Sequence, residues 1–388
     1  MRGRGKVQYV IRTSDRAAFK RCRRRWNWSS HLRSNLEPTR TAEPLWTGTG
    51  IHFALEDYHG HNRYGSPSDA FRAFTEACRK LPKRLAYLPD GWREELDLAL
   101  GMLDYYLVWL EGRDPLKTYW INGKPQVEVH WEIEIPWDEN SPFAWRLDPG
   151  DTIVHRGRFD RVVIDEHGRL WIVEYKSAKR FEVLHFETDG QCSTYSWSGS
   201  CLYDQEISGI IYQQHRKDVP DEPKFLKSSG KYSTNKSQLT TSRLYRKALI
   251  NLYGDIDIVP SDNIKMLNLL HEQETEDSDK FVRRDRIERS PQQIQAEGAK
   301  ILLELEDLVN DELPLYPSPT RDCSYCPFVG PCVAFDDGSD WEELLSASTK
   351  QREEEPQGWR QRLPEPGKLQ LQQVQAKPPV RLQLPPGQ

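Results

Sequence analysis

Two acids and a lysine at the ends of neighbouring apolar runs are the residues of this chain best placed to do chemistry. Gly157-Arg-Phe-Asp160-Arg-Val-Val-Ile is followed by the turn Asp165-Glu-His-Gly168 and then by Leu170-Trp-Ile-Val-Glu174-Tyr-Lys176. The two apolar runs around a turn predict a hairpin. Side chains alternate along a strand, so Glu174 and Lys176 share a face and Tyr175 points away. Asp160, Glu174 and the main-chain carbonyl of Tyr175 make an oxygen-rich site suited to Mg²⁺ or Mn²⁺. Such an ion lowers the pKa of a water and stabilises charge developing on phosphorus, and Lys176 can orient or activate that water. The pattern predicts phosphodiester hydrolysis. A lone Asp…Glu-x-Lys in an arbitrary sequence is more often an exposed ion pair at a strand end, so its neighbours decide.

Those neighbours are His52, in Gly48-Thr-Gly-Ile-His52 at the first turn of a helix, and Gln191 with Tyr195, four apart on one face of another helix. The order His, Asp, Glu-x-Lys, Gln-x-x-x-Tyr is hard to explain piece by piece. A second constellation is Cys323-x2-Cys326-Pro-x4-Cys332, three thiols within ten residues. A structural zinc or an iron–sulfur cluster needs a fourth ligand, for which Cys22 is the candidate, and spacing alone leaves both metals open. Cys78, Cys192 and Cys201 fall outside the pattern.

The elements that must position these residues follow from periodicity. Thr13-Ser14 opens a helix running to Trp28, with Phe19, Cys22 and Trp26 on one face. Further helices are expected at about 50–59, 68–81, 92–111, 190–200 and 291–309, and strands at 126–135, 153–164, 170–175 and 207–213. The segment 218–242 is polar and reads as a mobile loop. The expected organisation is a helical N-terminal portion (1–120) carrying Cys22 and His52, packed as one domain with an α/β core (121–340), then a disordered Gln/Pro-rich tail (341–388).

With 388 residues, 37% of them hydrophobic, the chain can bury a core, and no apolar run is long enough to span a membrane. The N-terminus also lacks the apolar stretch of a signal peptide. A soluble cytoplasmic protein is expected, where cysteines are metal ligands or small core residues more often than disulfides. The net charge is −5, yet residues 1–40 hold twelve Lys/Arg against two acids, and residues 224–247 hold seven Lys/Arg and no acid. Two basic segments on an acidic body suit contact with nucleic-acid phosphates. Arg23, Arg24, Arg25, Lys231 and Lys236 are the candidates, with Trp26, Trp28, Trp46 and Tyr58 as possible surfaces for stacking bases.

Over residues 12–335 the sequence resembles the RecB-like nucleases of the PD-(D/E)XK superfamily, including AddB-type and CRISPR-associated exonucleases. The resemblance rests on Ser14-x(4)-Phe19-x-x-Cys22-x(3)-Trp26, Gly48-x-Gly-x-His52, Gly157-x-x-Asp160, Glu174-Tyr-Lys176, Gln191-x(3)-Tyr195 and the terminal cysteines. It implies a mixed central sheet flanked by helices, with His52, Asp160 and Glu174 binding Mg²⁺ or Mn²⁺. It makes Lys176 catalytic and gives Gln191 and Tyr195 a supporting role. Glu128 is a further acidic candidate. The resemblance favours a 4Fe-4S cluster on Cys22, Cys323, Cys326 and Cys332 over zinc. It implies a DNA exonuclease acting at single-stranded ends, in the cytoplasm of a bacterium or phage-infected cell, beside replication or recombination proteins. A CRISPR-adaptation nuclease or a catalytically silent DNA-binding protein are the alternatives. No Gly-x(4)-Gly-Lys-Ser/Thr phosphate loop is present, so the chain carries no ATPase of that type.

Overall fold

The computed structural model describes residues 7–81, 88–111, 114–141, 144–181 and 184–352. The N-terminal portion comprises β1 (Gln8–Arg12), α1 (Thr13–Arg21), α2 (Arg23–Ser29), β2 (Leu36–Pro38), α3 (Glu43–Gly60), α4 (Pro67–Arg79) and α5 (Trp92–Leu110). Then come short β3 (Lys117–Thr118), β4 (Trp120–Ile121) and β5 (Lys124–Pro125), followed by β6 (Val127–Glu134), β7 (Thr152–Ile164) and β8 (Leu170–Ala178). Next are α6 (Leu184–Thr188), α7 (Gly190–Leu202), β9 (Ile207–Arg216), the small strands β10 (Phe225–Leu226) and β11 (Lys231–Tyr232), α8 (Ser242–Tyr253) and α9 (Ser261–Gln273). The chain continues through β12 (Val282–Glu288), α10 (Pro291–Leu308), α11 (Val329–Asp337), α12 (Trp341–Ser348) and β13 (Thr349–Gln351).

The expected mixed sheet flanked by helices is present. Its path runs β1-β7-β8-β9-β12, with β3 and β6 also paired to β7. β1 runs parallel to β7 and β8 parallel to β9, and the other pairs are antiparallel. Both faces of the sheet are covered, so its strands read as near-continuous apolar runs. On one face Val162, Ile172 and Ile210 join Phe19, Trp26, Ile301 and Leu305 in a core under α1, α7 and α10. On the other, Val163, Trp171, Val173 and Ile211 meet α3, α4 and α5. A third, smaller core of Tyr245, Leu249, Val259, Met266 and Leu270 holds α8 and α9 together.

Several expectations change. The N-terminal helix is broken at Cys22, whose backbone is extended (φ −165°, ψ 114°), and the portion before residue 120 contributes β1 to the sheet. α3 starts at Glu43 rather than near Gly50, because Pro44 suits a first turn and Gly50 lies within the helix for packing reasons. A Cβ there would sit 2.5 Å from the Phe71 ring. The polar segment 218–242 holds the β10–β11 hairpin, pinned where Ser233 N donates to Lys224 O and Tyr245 Oη donates to Ser233 O. Residues 341–352, expected to begin a disordered tail, form α12 and β13, which pairs with β2. The rest of that tail lies outside the described residues. Among the described residues no helix is long and apolar enough to cross a membrane.

Candidate active site

The site forms where the pleat of the sheet changes phase. Residues i and i+2 of a strand normally face the same way. Here Val129 packs against the first core while Val127 meets Gly60 of α3, and between them Glu128 takes φ +45°. The facing strand does the same: Phe159 and Val162, three apart, both enter the first core. Asp160 and Arg161 therefore turn together toward α3. The neighbouring edge is also open, because β1 pairs with 152–156 of β7 and β8 only with 161–164. Positive φ in a non-glycine residue costs about 1–2 kcal/mol and collects at functional sites.

In that opening three side chains from three elements converge. His52 of α3 places Nδ1 3.2 Å from Asp160 Oδ1 and 3.5 Å from Glu128 Oε1. One donor atom from each of the three lies within 4.8 Å of the others, the spacing a single cation needs. Asp160 is fixed from behind, its Oδ2 accepting from the Tyr175 amide at 2.8 Å. Beside this group, Lys176 Nζ donates to Glu174 Oε1 (2.7 Å) and to Gln191 Oε1 (3.1 Å), and Gln191 Nε2 donates to the same Glu174 oxygen (3.0 Å). Gln191 is held at the start of α7, where Asp189 caps the helix by accepting from the Gln191 amide.

Glu174 Oε2 is buried without a hydrogen-bond partner among the described residues. A bare buried carboxylate oxygen beside one imidazole and two further carboxylates fits an oxygen-seeking divalent cation. Electrostatics agree with that donor set. Burial and the Asp160 charge push the Glu174 carboxyl up to about 7 against the pull of Lys176. Burial opposes a charge on His52, but Asp160 and Glu128 outweigh it and hold the imidazole well above its ordinary pKa. Burial likewise works against the Lys176 ammonium, and Glu174 more than compensates, so the pKa rises and the lysine is a cation at neutral pH. The phenol of Tyr195 is kept protonated by burial and by Glu174 and Asp160.

The sequence profile of the PD-(D/E)XK nuclease superfamily matches residues 13–333. The chain belongs to that superfamily. A solved structure described as the crystal structure of SSO0001 is similar at 13% identity, covering 85% of this chain and 89% of that one with a TM-score of 0.31. Among curated proteins no match was found. Membership makes the protein a nuclease acting on phosphodiester bonds of a nucleic acid, in a superfamily that uses divalent metals.

In this nuclease the sequence-predicted His52, Asp160, Glu174, Lys176 and Gln191 come together, with buried Tyr195 behind them against Phe159. His52 sits in the middle of α3 rather than its first turn. Tyr175 turns its ring into the opposite core, against the rings of His52 and His59. Sequence reading missed Arg158, whose Nε lies 2.9 Å from Glu128 Oε2. Its position two before Asp160 on one strand was the available signal. Glu56, one turn beyond His52 on α3, also acts on Arg158.

The cysteines meet at the other end of the chain. Cys22 stands at the α1–α2 break, and both Cys22 and Cys323 act electrostatically on partly buried Cys326. Arg24 Nη1 donates to Cys332 Sγ (3.4 Å) and pairs with Asp336 (2.7 Å). All four thiols are free and partly exposed. Arg24 is therefore turned inward, and Arg23 lies over the Phe19 and Tyr316 rings. These two arginines hold the two ends of the chain together instead of presenting charge. Arg25 is half-buried near Cys326, whereas Lys231 and Lys236 are exposed. Trp26, Trp28, Trp46 and Tyr58 are all buried, so none offers a stacking surface.

Proposed function

We propose that the protein is a Mg²⁺- or Mn²⁺-dependent deoxyribonuclease that digests DNA from its ends. The observation that carries this is the convergence of His52, Glu128 and Asp160 at single-cation spacing beside the Glu174–Lys176–Gln191 cluster. His52, Glu128, Asp160 and Glu174 would hold the metal, with the Tyr175 carbonyl as a further ligand. The metal would lower the pKa of a water and offset charge on the phosphate. Lys176 keeps its proton, so its part is to orient the attacking water and stabilise negative charge rather than to accept a proton. Gln191 fixes the lysine and Glu174 relative to each other. Tyr195, buried and protonated, supports the wall of the site. The water oxygen bonds to phosphorus as the ester bond to the leaving oxygen breaks, leaving one end as a phosphate monoester and the other as a hydroxyl.

We further propose that Cys22, Cys323, Cys326 and Cys332 carry a 4Fe-4S cluster that fastens residue 22 to the C-terminal loop. Four free, partly buried thiols from both ends of the chain, one accepting from Arg24, suit that ligand set. Closing nearly the whole chain makes the role structural.

The test is digestion of end-labelled single- and double-stranded DNA by anaerobically purified protein in Mg²⁺, Mn²⁺ or EDTA, with iron, sulfide and zinc assayed on the same sample. Metal-dependent shortening from one end, lost in Asp160→Ala, is the expected result. A folded protein inert on every substrate and metal contradicts the nuclease proposal. Stoichiometric zinc without iron overturns the cluster.

A further inference from the structure

We propose that Arg158 grips the scissile phosphate, its guanidinium holding a non-bridging oxygen next to the metal-ligand group; this rests on the nuclease function proposed above. Arg158 and Asp160 are two apart on β7, so both project to the α3 side of the opening. Glu128 lies between the two halves of the site. One of its oxygens faces His52 at 3.5 Å, and the other meets Arg158 Nε at 2.9 Å. Glu128 is buried, with 3% of its side chain exposed, whereas the Arg158 side chain is 42% exposed. The arginine thus borders the open side of the site while remaining fixed by a buried carboxylate.

Charge balance gives it something to do. A phosphodiester entering this opening meets Glu128, Asp160, Glu174 and Glu56, and a single bound cation offsets only part of that repulsion. Lys176 is already bonded to Glu174 and Gln191. Arg158 meets Glu128 through Nε, at one corner of its fork. A planar guanidinium fits two oxygens of a phosphate at once, which an ammonium cannot. If Arg158 were only a counter-ion for Glu128, lysine would replace it, and the charge on the substrate phosphate would be irrelevant.

The experiment compares wild type, Arg158→Lys, Arg158→Gln and Arg158→Ala in the full chain on a DNA oligonucleotide with one uncharged methylphosphonate linkage. Mn²⁺ affinity is measured alongside by calorimetry. On ordinary linkages all three variants are expected to lose about 10²–10³-fold in kcat while still binding Mn²⁺. At the methylphosphonate the gap between wild type and variants should collapse, because the oxygen that Arg158 holds has gone. Should Arg158→Ala fail to fold, the lysine and glutamine variants carry the same comparison. Full activity in Arg158→Lys, or an undiminished gap at the methylphosphonate, would overturn the inference while leaving the nuclease function intact. Inert wild-type protein would instead defeat the nuclease function and this inference with it.

Discussion

Burial and the charge of Asp160 raise the Glu174 carboxyl to about 7, and Asp160 and Glu128 outweigh burial to raise His52. At neutral pH, then, two of the proposed ligands hold protons that a cation must displace. Mn²⁺ binding should release protons and tighten as the pH rises through 7. Calorimetry in buffers of differing ionisation enthalpy measures this directly, and binding without proton release would contradict the ligand assignment. Lys176 makes a separate prediction. Lys176→Ala should lower kcat by about 10²–10⁴-fold yet keep Mn²⁺ binding, since the lysine sits beside the ligand group rather than in it. A variant losing metal and activity together would place Lys176 in the metal site. Asp160, Glu174 and Lys176 were legible in the sequence because residue type and strand parity were enough to bring them together. Arg158 was not, and Glu128 only as a loose candidate. Their placement depends on the phase change at Glu128, and nothing in Gln126-Val-Glu-Val announces a positive φ there.

His52 reaches Asp160 only because α3 lies close against α4, and Gly50 makes that approach possible. Adding a methyl at Gly50 puts a carbon 2.5 Å from the Phe71 ring, so Gly50→Ala should destabilise the fold by about 1–3 kcal/mol. It should also slow the reaction by tilting the helix that carries His52. Urea denaturation with activity measured in parallel checks both effects. Adding Phe71→Leu should recover part of each, and no recovery would mean that the glycine matters for another reason. Gly157 does the same job within the sheet, since a Cβ there would overlap the indole of Trp131 on the paired strand. The periodic elements were legible for the reason these glycines are not: alternation reports which face is buried, whereas a close approach depends on the partner. β12 was missed because Val282-Arg-Arg-Asp-Arg-Ile-Glu carries too many charges to look like a sheet strand. Several of them are paired, Arg284 with buried Asp114 and Arg283 with Asp285. The helix break at Cys22 was hidden similarly, since its cause is the inward turn of Arg24 toward residues 332 and 336.

At the scale of the molecule, two sets of buried groups oppose each other in pH and set where the metal-free protein is most stable. His59, His155 and His215 are kept neutral: burial, aided by Arg161, Arg16 and Arg284 respectively, lowers each pKa, that of His215 to about 3. The unfolded chain takes up these protons below about pH 6.5. The stability the three histidines provide is therefore complete above that value and lost as the pH falls, at up to about 1.4 kcal/mol per pH unit for each. His52 and Glu174 have raised folded pKa values, so their contribution is present at low pH. It is lost as the pH rises from the unfolded values of about 6.5 and 4.3 toward the folded ones, about 7 for Glu174. Between about 4.3 and 6.5 three histidines outweigh one glutamate, and falling pH destabilises. Above about 6.5 the histidines are indifferent and rising pH destabilises through His52 and Glu174. In EDTA the unfolding free energy should therefore peak near pH 6.5. A bound divalent cation takes the place of the protons on His52 and Glu174, so the decline at higher pH should disappear and the peak should move upward. Urea titrations from pH 4.5 to 9, with EDTA and with Mn²⁺, trace both curves. An EDTA curve that keeps rising to pH 9 would mean that the active-site acids and His52 are not strained toward protonation, and the electrostatic basis for a cation at this site would fail with it.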